Sequence, residues 1–156
     1  MTIVASELLD GLSHDEAARF MDLGVRLSLA PGHILFKLGE PADRMFLVES
    51  GRINLTLPMQ IRSAVEDMLV EEKMTGETLG WSGLIPPHRY TLKAVAAMET
   101  ELIAFPRGAL LEHFVANPGV GYKIHRNVAA VIGHRLGIFQ SMWLREMQRV
   151  VEFRYS

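Results

Sequence analysis

The chain has no cysteine among its 156 residues, which excludes disulfides, thiolate nucleophiles and cysteine-held zinc or iron–sulfur clusters. It also lacks any run of the roughly 18 uncharged apolar residues that a membrane helix needs. Its opening, MTIVASELLDGLSHDEAARF, carries acids where a secretion signal carries lysines, so a cytoplasmic location away from membranes is expected. The formal net charge is only −2, which gives no global attraction to phosphate backbones. No basic patch precedes the C-terminal segment, and no nucleic-acid partner is expected. Catalytic signatures are missing too: no serine sits between the glycines of a nucleophile elbow, and no motif pairs two acids, so the chain reads as a non-enzyme. The six histidines, His14, His33, His88, His113, His125 and His134, include no i, i+4 pair and no His-x-His, so no metal is expected.

What is present is a globular composition, 49% hydrophobic and 22% charged, in a length that suits one domain. Ser6–Leu12 and Ser13–Met21 read as two short helices, the second opened by Ser13 with Glu16 three residues on, the spacing of a capping box, and with Leu12 and Ala17 placed to staple the entry. From Val25 to Phe105 the pattern changes to short apolar or alternating runs punctuated by glycine and proline. Seven or eight strands at that density predict an antiparallel β-roll of the jelly-roll kind, mainly β with flanking helices. Pro31-Gly32, Gly39-Glu40-Pro41 and Ser50-Gly51 supply its turns. Leu57–Ser63, LPMQIRS, reads as a mobile hairpin tip because Pro58 has no N–H for a ladder.

After Pro106 the helical period returns, first in RGALLEHFVAN and then in a long helix from about Gly119 to Phe153. Val128, Ile132, Leu136, Phe139, Trp143, Met147 and Val150 follow spacings of four, four, three, four, four and three, an eleven-residue repeat that suits a nearly straight helix pair. The stripe is longer than a small roll can cover. A homodimer through Val128, Ile132, Leu136, Phe139, Trp143 and Met147 is expected, against the alternative that the stripe packs on its own roll. The organisation expected is one domain over residues 1–156, with N-terminal helices at 1–22, the roll at 23–106 and C-terminal helices at 107–154.

The order of these elements, the run PGHILFKLGEPADRMFLVESGRI with glycines at Gly32, Gly39 and Gly51, and TGETLG at Thr75–Gly80 together resemble the cyclic-nucleotide-binding domain family, in particular the sensor half of the catabolite activator and fumarate-nitrate regulator superfamily. The resemblance covers about Leu23 to Val151. It implies a regulatory sensor for a small effector. It also implies a phosphate-binding cassette in which Glu77, after Gly76, accepts the ribose 2′-hydroxyl, and Leu79 to Gly83, with Leu79, Gly80, Trp81 and Ser82 as ligand residues, form a helical turn whose N-terminus faces the phosphate. Transcriptional members append a helix-turn-helix domain after the long helix; here the sequence stops at Ser156, so no DNA-binding domain is expected.

The second half of the cassette departs from the family pattern. It reads PPHRYTLKA, so that the position of the expected arginine falls on His88, Arg89 comes one residue late, and Tyr90 and Thr91 replace small residues. A slip of one residue in extended chain aims Arg89 away from the pocket. Trp81 and Leu84 also reduce its room. Glu77 is open to two readings, ribose ligand or turn residue; Arg89 to phosphate contact or structural pairing; Trp81 to stacking platform or core filler. The chain therefore reads as a sensor for a cyclic nucleotide or another small anion, binding cyclic AMP weakly or not at all. The alternative is a ligand-free dimerisation or docking module, with a protein partner, that keeps the fold.

Overall fold

The computed structural model describes residues 6–155. The N-terminal segment forms a single 3-10 turn, Glu7–Leu9, followed by α1, His14–Met21. The first of the two expected helices is thus shorter than Ser6–Leu12. The second starts where its capping box requires: Ser13 Oγ accepts the Glu16 N–H, and the Glu16 carboxylate accepts the Ser13 N–H at 2.9 Å.

Eight strands follow: β1 Val25–Leu29, β2 Ile34–Phe36, β3 Arg44–Ser50, β4 Arg52–Ile61, β5 Ala64–Met74, β6 Thr78–Leu79, β7 Lys93–Ala96 and β8 Thr100–Pro106. They form two four-stranded sheets, ordered β1-β8-β3-β6 and β2-β7-β4-β5, with antiparallel pairing throughout. This is the β-roll. Gly51 shows why its turns need glycine: φ is +92°, and a Cβ there would stand 2.5 Å from the Glu99 carbonyl oxygen.

The two sheets read differently in sequence because they are buried differently. In β3 and β8 the runs MFLV and LIAF are continuous, since both faces of that sheet are covered. Met45, Leu47, Ile103 and Phe105 face a helical layer with Leu8, Phe20, Leu110, Phe114, Ile124 and Val128, while Phe46, Val48, Leu102 and Ala104 face the roll interior with Phe36, Ile53 and Leu55. In β4 and β7 one face meets solvent, so buried Ile53, Leu55, Ala94 and Ala96 alternate with more exposed Arg52, Asn54, Lys93 and Val95. The segment read as a hairpin tip is a correction: Leu57–Ile61 continues β4, Pro58 pairs opposite Asp67, and the turn is only Arg62-Ser63. Pro58 is tolerated because β7 pairs with β4 only as far as Thr56, leaving that side of the strand as an edge.

Helix α2, Arg107–Ala116, and α3, Pro118–Tyr155, complete the fold. Pro118 opens α3 at a position where its missing N–H costs nothing. Phe20 ties the helices to the roll, with its ring centroid 4.8 Å from Phe105 and 6.4 Å from Phe114. Phe20→Ala is expected to remove about 3–5 kcal/mol of stability, read as a lower urea midpoint at unchanged slope. A loss under about 1 kcal/mol would show that the helical layer is not anchored there.

Candidate functional site

The cassette region begins with a turn. Gly76, with φ at +86°, lets the chain reverse, its N–H donating to the Val48 carbonyl at 2.9 Å. Glu77 closes the turn: its carboxylate accepts the Met74 N–H at 2.9 Å and its own N–H donates to the Met74 carbonyl at 2.9 Å. The structure therefore puts Glu77 to use as a turn residue, with strand β6 between it and the short helix. That helix is a three-residue 3-10 turn, Trp81–Gly83, entered through left-handed Gly80. The Gly83 N–H donates to the Gly80 carbonyl, and Leu79 and Ser82 are buried.

Pairing with the 39–42 loop decides where the other half of the cassette points. The Gly39 N–H donates to the Tyr90 carbonyl, the Tyr90 N–H to the Glu40 carbonyl and the Ala42 N–H to the His88 carbonyl. Arg89, between His88 and Tyr90, turns outward, and its Nη1 donates to the Gly39 carbonyl at 2.9 Å from an exposed position. His88 takes a left-handed φ of +58° and donates from Nδ1 to the Ser82 carbonyl at 2.9 Å. Tyr90 turns inward. Its ring stacks on Phe36 with centroids 3.8 Å apart, and its hydroxyl donates to the Arg44 carbonyl at 2.8 Å. Burial, reinforced by the Asp43 carboxylate, pushes that hydroxyl up to about 12, so it stays protonated.

Between the cassette and α3 lies a cavity of about 10 Å³, lined by Phe36, Leu55, Gly80, Trp81, Tyr90, Thr91, Leu92 and Arg135. That is room for about one water. Of the ten expected ligand residues, Gly80, Trp81, Tyr90 and Thr91 border it. Gly76, Glu77, Leu79, Ser82, His88 and Arg89 do not. Trp81 is half-buried against the helix-side core and forms one wall, a filler rather than an open platform.

Arg135 is the residue that sequence reading missed. It comes from α3 and is only 7% exposed. Its Nε donates to Glu71 Oε2 at 2.9 Å, and Glu71 Oε1 also meets Lys73 Nζ at 2.9 Å. Lys73 stands 4.0 Å from Glu7, and the exposed His134 ring 4.0 Å from Glu71. The signals were present. Arg135 follows Val128 and Val131 by seven and four residues, in phase with the buried face of α3. Glu71 and Lys73 pair with the inward-facing Leu55 and Ile53.

The expected self-association stripe divides. Val128 is fully buried in the protein's own core, Ile132 packs on the same cluster and Phe139 packs on the roll. Val128 is therefore withdrawn from the interface, and Ile132 and Phe139 are partly buried. Leu136 and Trp143 remain outside at 58% and 66% exposure, with Met147 beyond them at 40%.

Burial alone would raise the Glu71 carboxyl, but Lys73 and Arg135 together outweigh it and hold it below the ordinary glutamate value of 4.5. The sign follows: its stabilising effect is complete above that ordinary value and is lost as pH falls through the lowered folded-state value. Melting temperature should fall more steeply below pH 4.5 for the wild type than for Glu71→Gln. Parallel acid limbs would show that the cluster is not coupled to folding.

The profile of the cyclic nucleotide-binding domain family matches residues 26–117, more than half of the chain. The fold is similar to that of the Thermus thermophilus catabolite activator protein, with a TM-score of 0.74 and 24% identity over 92% of this chain and 63% of that one. It is also similar to the c-di-GMP responsive global regulator CLP of Xanthomonas campestris, with a TM-score of 0.74 and 17% identity over 85% of this chain and 64% of that one. A stretch of 133 residues, 83% of this chain, is 29% identical to glutaminase 1 of Bradyrhizobium diazoefficiens, and spans only 20% of that enzyme. No helix among the described residues is long and apolar enough to cross a membrane. With its paired β-sheets, glycine-turned cassette region and long C-terminal helix, the chain belongs to the cyclic nucleotide-binding domain family.

Proposed function

We propose that this domain is a non-enzymatic regulatory sensor whose effector is a small anion other than cyclic AMP, and that it signals through α3. The observation that carries the reading is the orientation of the cassette: Arg89 is bonded outward to the Gly39 carbonyl and Glu77 to the Met74 amide, so neither the expected cation nor the expected acid faces the cavity. A charge-assisted contact of the missing kind contributes about 1.5–3 kcal/mol, roughly tenfold or more in affinity. The description of the Xanthomonas regulator, responsive to c-di-GMP, supports the idea that this architecture serves other effectors. The match to one fifth of a glutaminase supports a role as an attached regulatory part rather than as the catalytic part.

A second reading, a ligand-free dimerisation module, is favoured by the small cavity of about 10 Å³. Both readings use the same output. Helix α3 is 38 residues, about 57 Å, and from Gln140 onward its described residues are exposed. Leu136, Trp143 and Met147 supply the aromatic and aliphatic side chains that enrich interface cores. The wild type is therefore expected to be a homodimer.

Titration calorimetry with cyclic AMP should give no binding tighter than about 100 µM; a low-micromolar constant abolished by Glu77→Ala would overturn the sensor reading as stated. For assembly, sedimentation at tens of micromolar should show a wild-type dimer, and Leu136→Glu and Trp143→Glu should be folded monomers, because both positions are exposed in the single chain. A wild-type monomer, or a glutamate variant that stays dimeric, would count against α3 as the interface.

A further inference from the structure

We propose that Arg135 is the anion receptor of this pocket, so that the cation absent from the cassette is delivered by the C-terminal helix. The inference rests on the sensor reading above and names the chemistry it would recognise: an oxyanion, carboxylate or phosphate, carried by a small metabolite. Three observations converge on Arg135. The side chain is more than nine-tenths buried, borders the cavity beside Gly80, Trp81 and Thr91, and has an Nη2 that is enclosed without a hydrogen-bond acceptor. A guanidinium offers five N–H groups in a planar fork suited to a two-oxygen acceptor, and here only the Nε edge is bonded, to Glu71. A buried donor left unpaired is costly, so an acceptor that reaches the cavity would be favoured at Nη2.

The surrounding charges favour an incoming anion. Lys73 and Arg135 share the acid Glu71, each at 2.9 Å, and among the described residues the other acid near Lys73 is Glu7, 4.0 Å away and 40% exposed at its side chain. The inner cluster of two cations and one carboxylate is therefore short of negative charge. Lys73 also makes an exchange feasible: if an anion draws Arg135 off Glu71, the carboxylate keeps its Lys73 contact and is not orphaned in the core. Among the described residues no other cation lines the cavity: Arg89 faces outward and His88 is bonded to Ser82.

Size then links capture to signalling. A cavity of about 10 Å³ cannot hold even a carboxylate without movement of a wall, and in this proposal the wall that parts from the roll is α3, which carries Arg135. The helix that parts is the one carrying exposed Leu136 and Trp143. An anion that binds the parted form better than the closed one shifts the population toward it.

The test uses the full chain labelled with nitrogen-15, titrated with sodium phosphate in one arm and sodium acetate in another, at ionic strength held constant with sodium chloride. The expected result is a saturable shift of the Arg135 Nε–H and Trp81 indole N–H signals in at least one arm; which arm responds identifies the oxyanion. Arg135→Lys should weaken that binding by about tenfold, because a point charge replaces the fork, while Arg149→Gln on the exposed part of α3 should leave it unchanged. Glu71→Gln should tighten it by about threefold through loss of the internal competitor. Should Glu71→Gln fail to fold, Arg135→Lys decides alone, its amide spectrum confirming the fold. No saturable shift with either anion would overturn the proposal, as would binding that Arg135→Lys leaves within about twofold. Phosphate or acetate binding indifferent to Arg135 would sink only this assignment, whereas tight cyclic AMP binding dependent on Glu77 would sink the sensor reading beneath it.

Discussion

The pairing of β3 with β8, buried on both faces, is the constraint on which the rest of the molecule depends. Side chains alternate along these strands, so Met45 and Leu47 must meet helices while Phe46 and Val48 fill the roll. Neither layer can be removed without exposing an entire face of the pair. The same strand positions the site: Gly80 lies over the Phe46 ring, where a Cβ would come to 3.0 Å, and the Arg44 carbonyl holds the Tyr90 hydroxyl. The cassette is thus shaped by a strand that contributes no charged group to the cavity.

Charge reaches the cavity from elsewhere. Arg89 is turned out by its pairing with the 39–42 loop, and Arg135 is brought in by α3 to meet β5. A buried ion pair of the Glu71–Arg135 kind is a weak source of net stability, because desolvating both groups offsets most of their attraction. Its value lies in position. It fixes one point on a long helix to one point on the second sheet, and it leaves part of the guanidinium unpaired.

The two halves of α3 have different tasks for a geometric reason. Its buried face, through Ile124, Val128, Val131 and Arg135, follows the roll only as far as the roll extends, and Phe139 is the last residue to pack against it. Beyond that point the described residues of the apolar stripe are exposed. The register that seats the first half on the roll therefore sets which residues the second half offers to a partner.

Much of this was legible in the chain itself. The capping box at Ser13 and Glu16, the glycine turn at Gly51 and the continuous runs of β3 and β8 are local rules: backbone sterics and short-range hydrogen bonds enforce them in any fold that contains them. The outward turn of Arg89 does not belong with them: His88 before it is left-handed, and pairing with the 39–42 loop sets the direction. Pro58 misled because whether a missing N–H ends a strand depends on whether a neighbour needs it, and β7 stops short of that position. Glu77 had two local readings, and the bonding of its turn to Val48 is a tertiary contact that neither reading could supply from the sequence. The Val128 end of the stripe looked like the Trp143 end, since periodicity records that a face is apolar but not what covers it. Arg135, Glu71 and Lys73 depended most on the tertiary structure: Arg135 and Glu71 are 64 residues apart, and only the docking of α3 against β5 turns three ordinary surface-type charges into one buried cluster beside a cavity. The sequence by itself determined the elements and their turns, because those follow from the backbone; the fold decided which charges face inward, because burial is a property of what lies opposite.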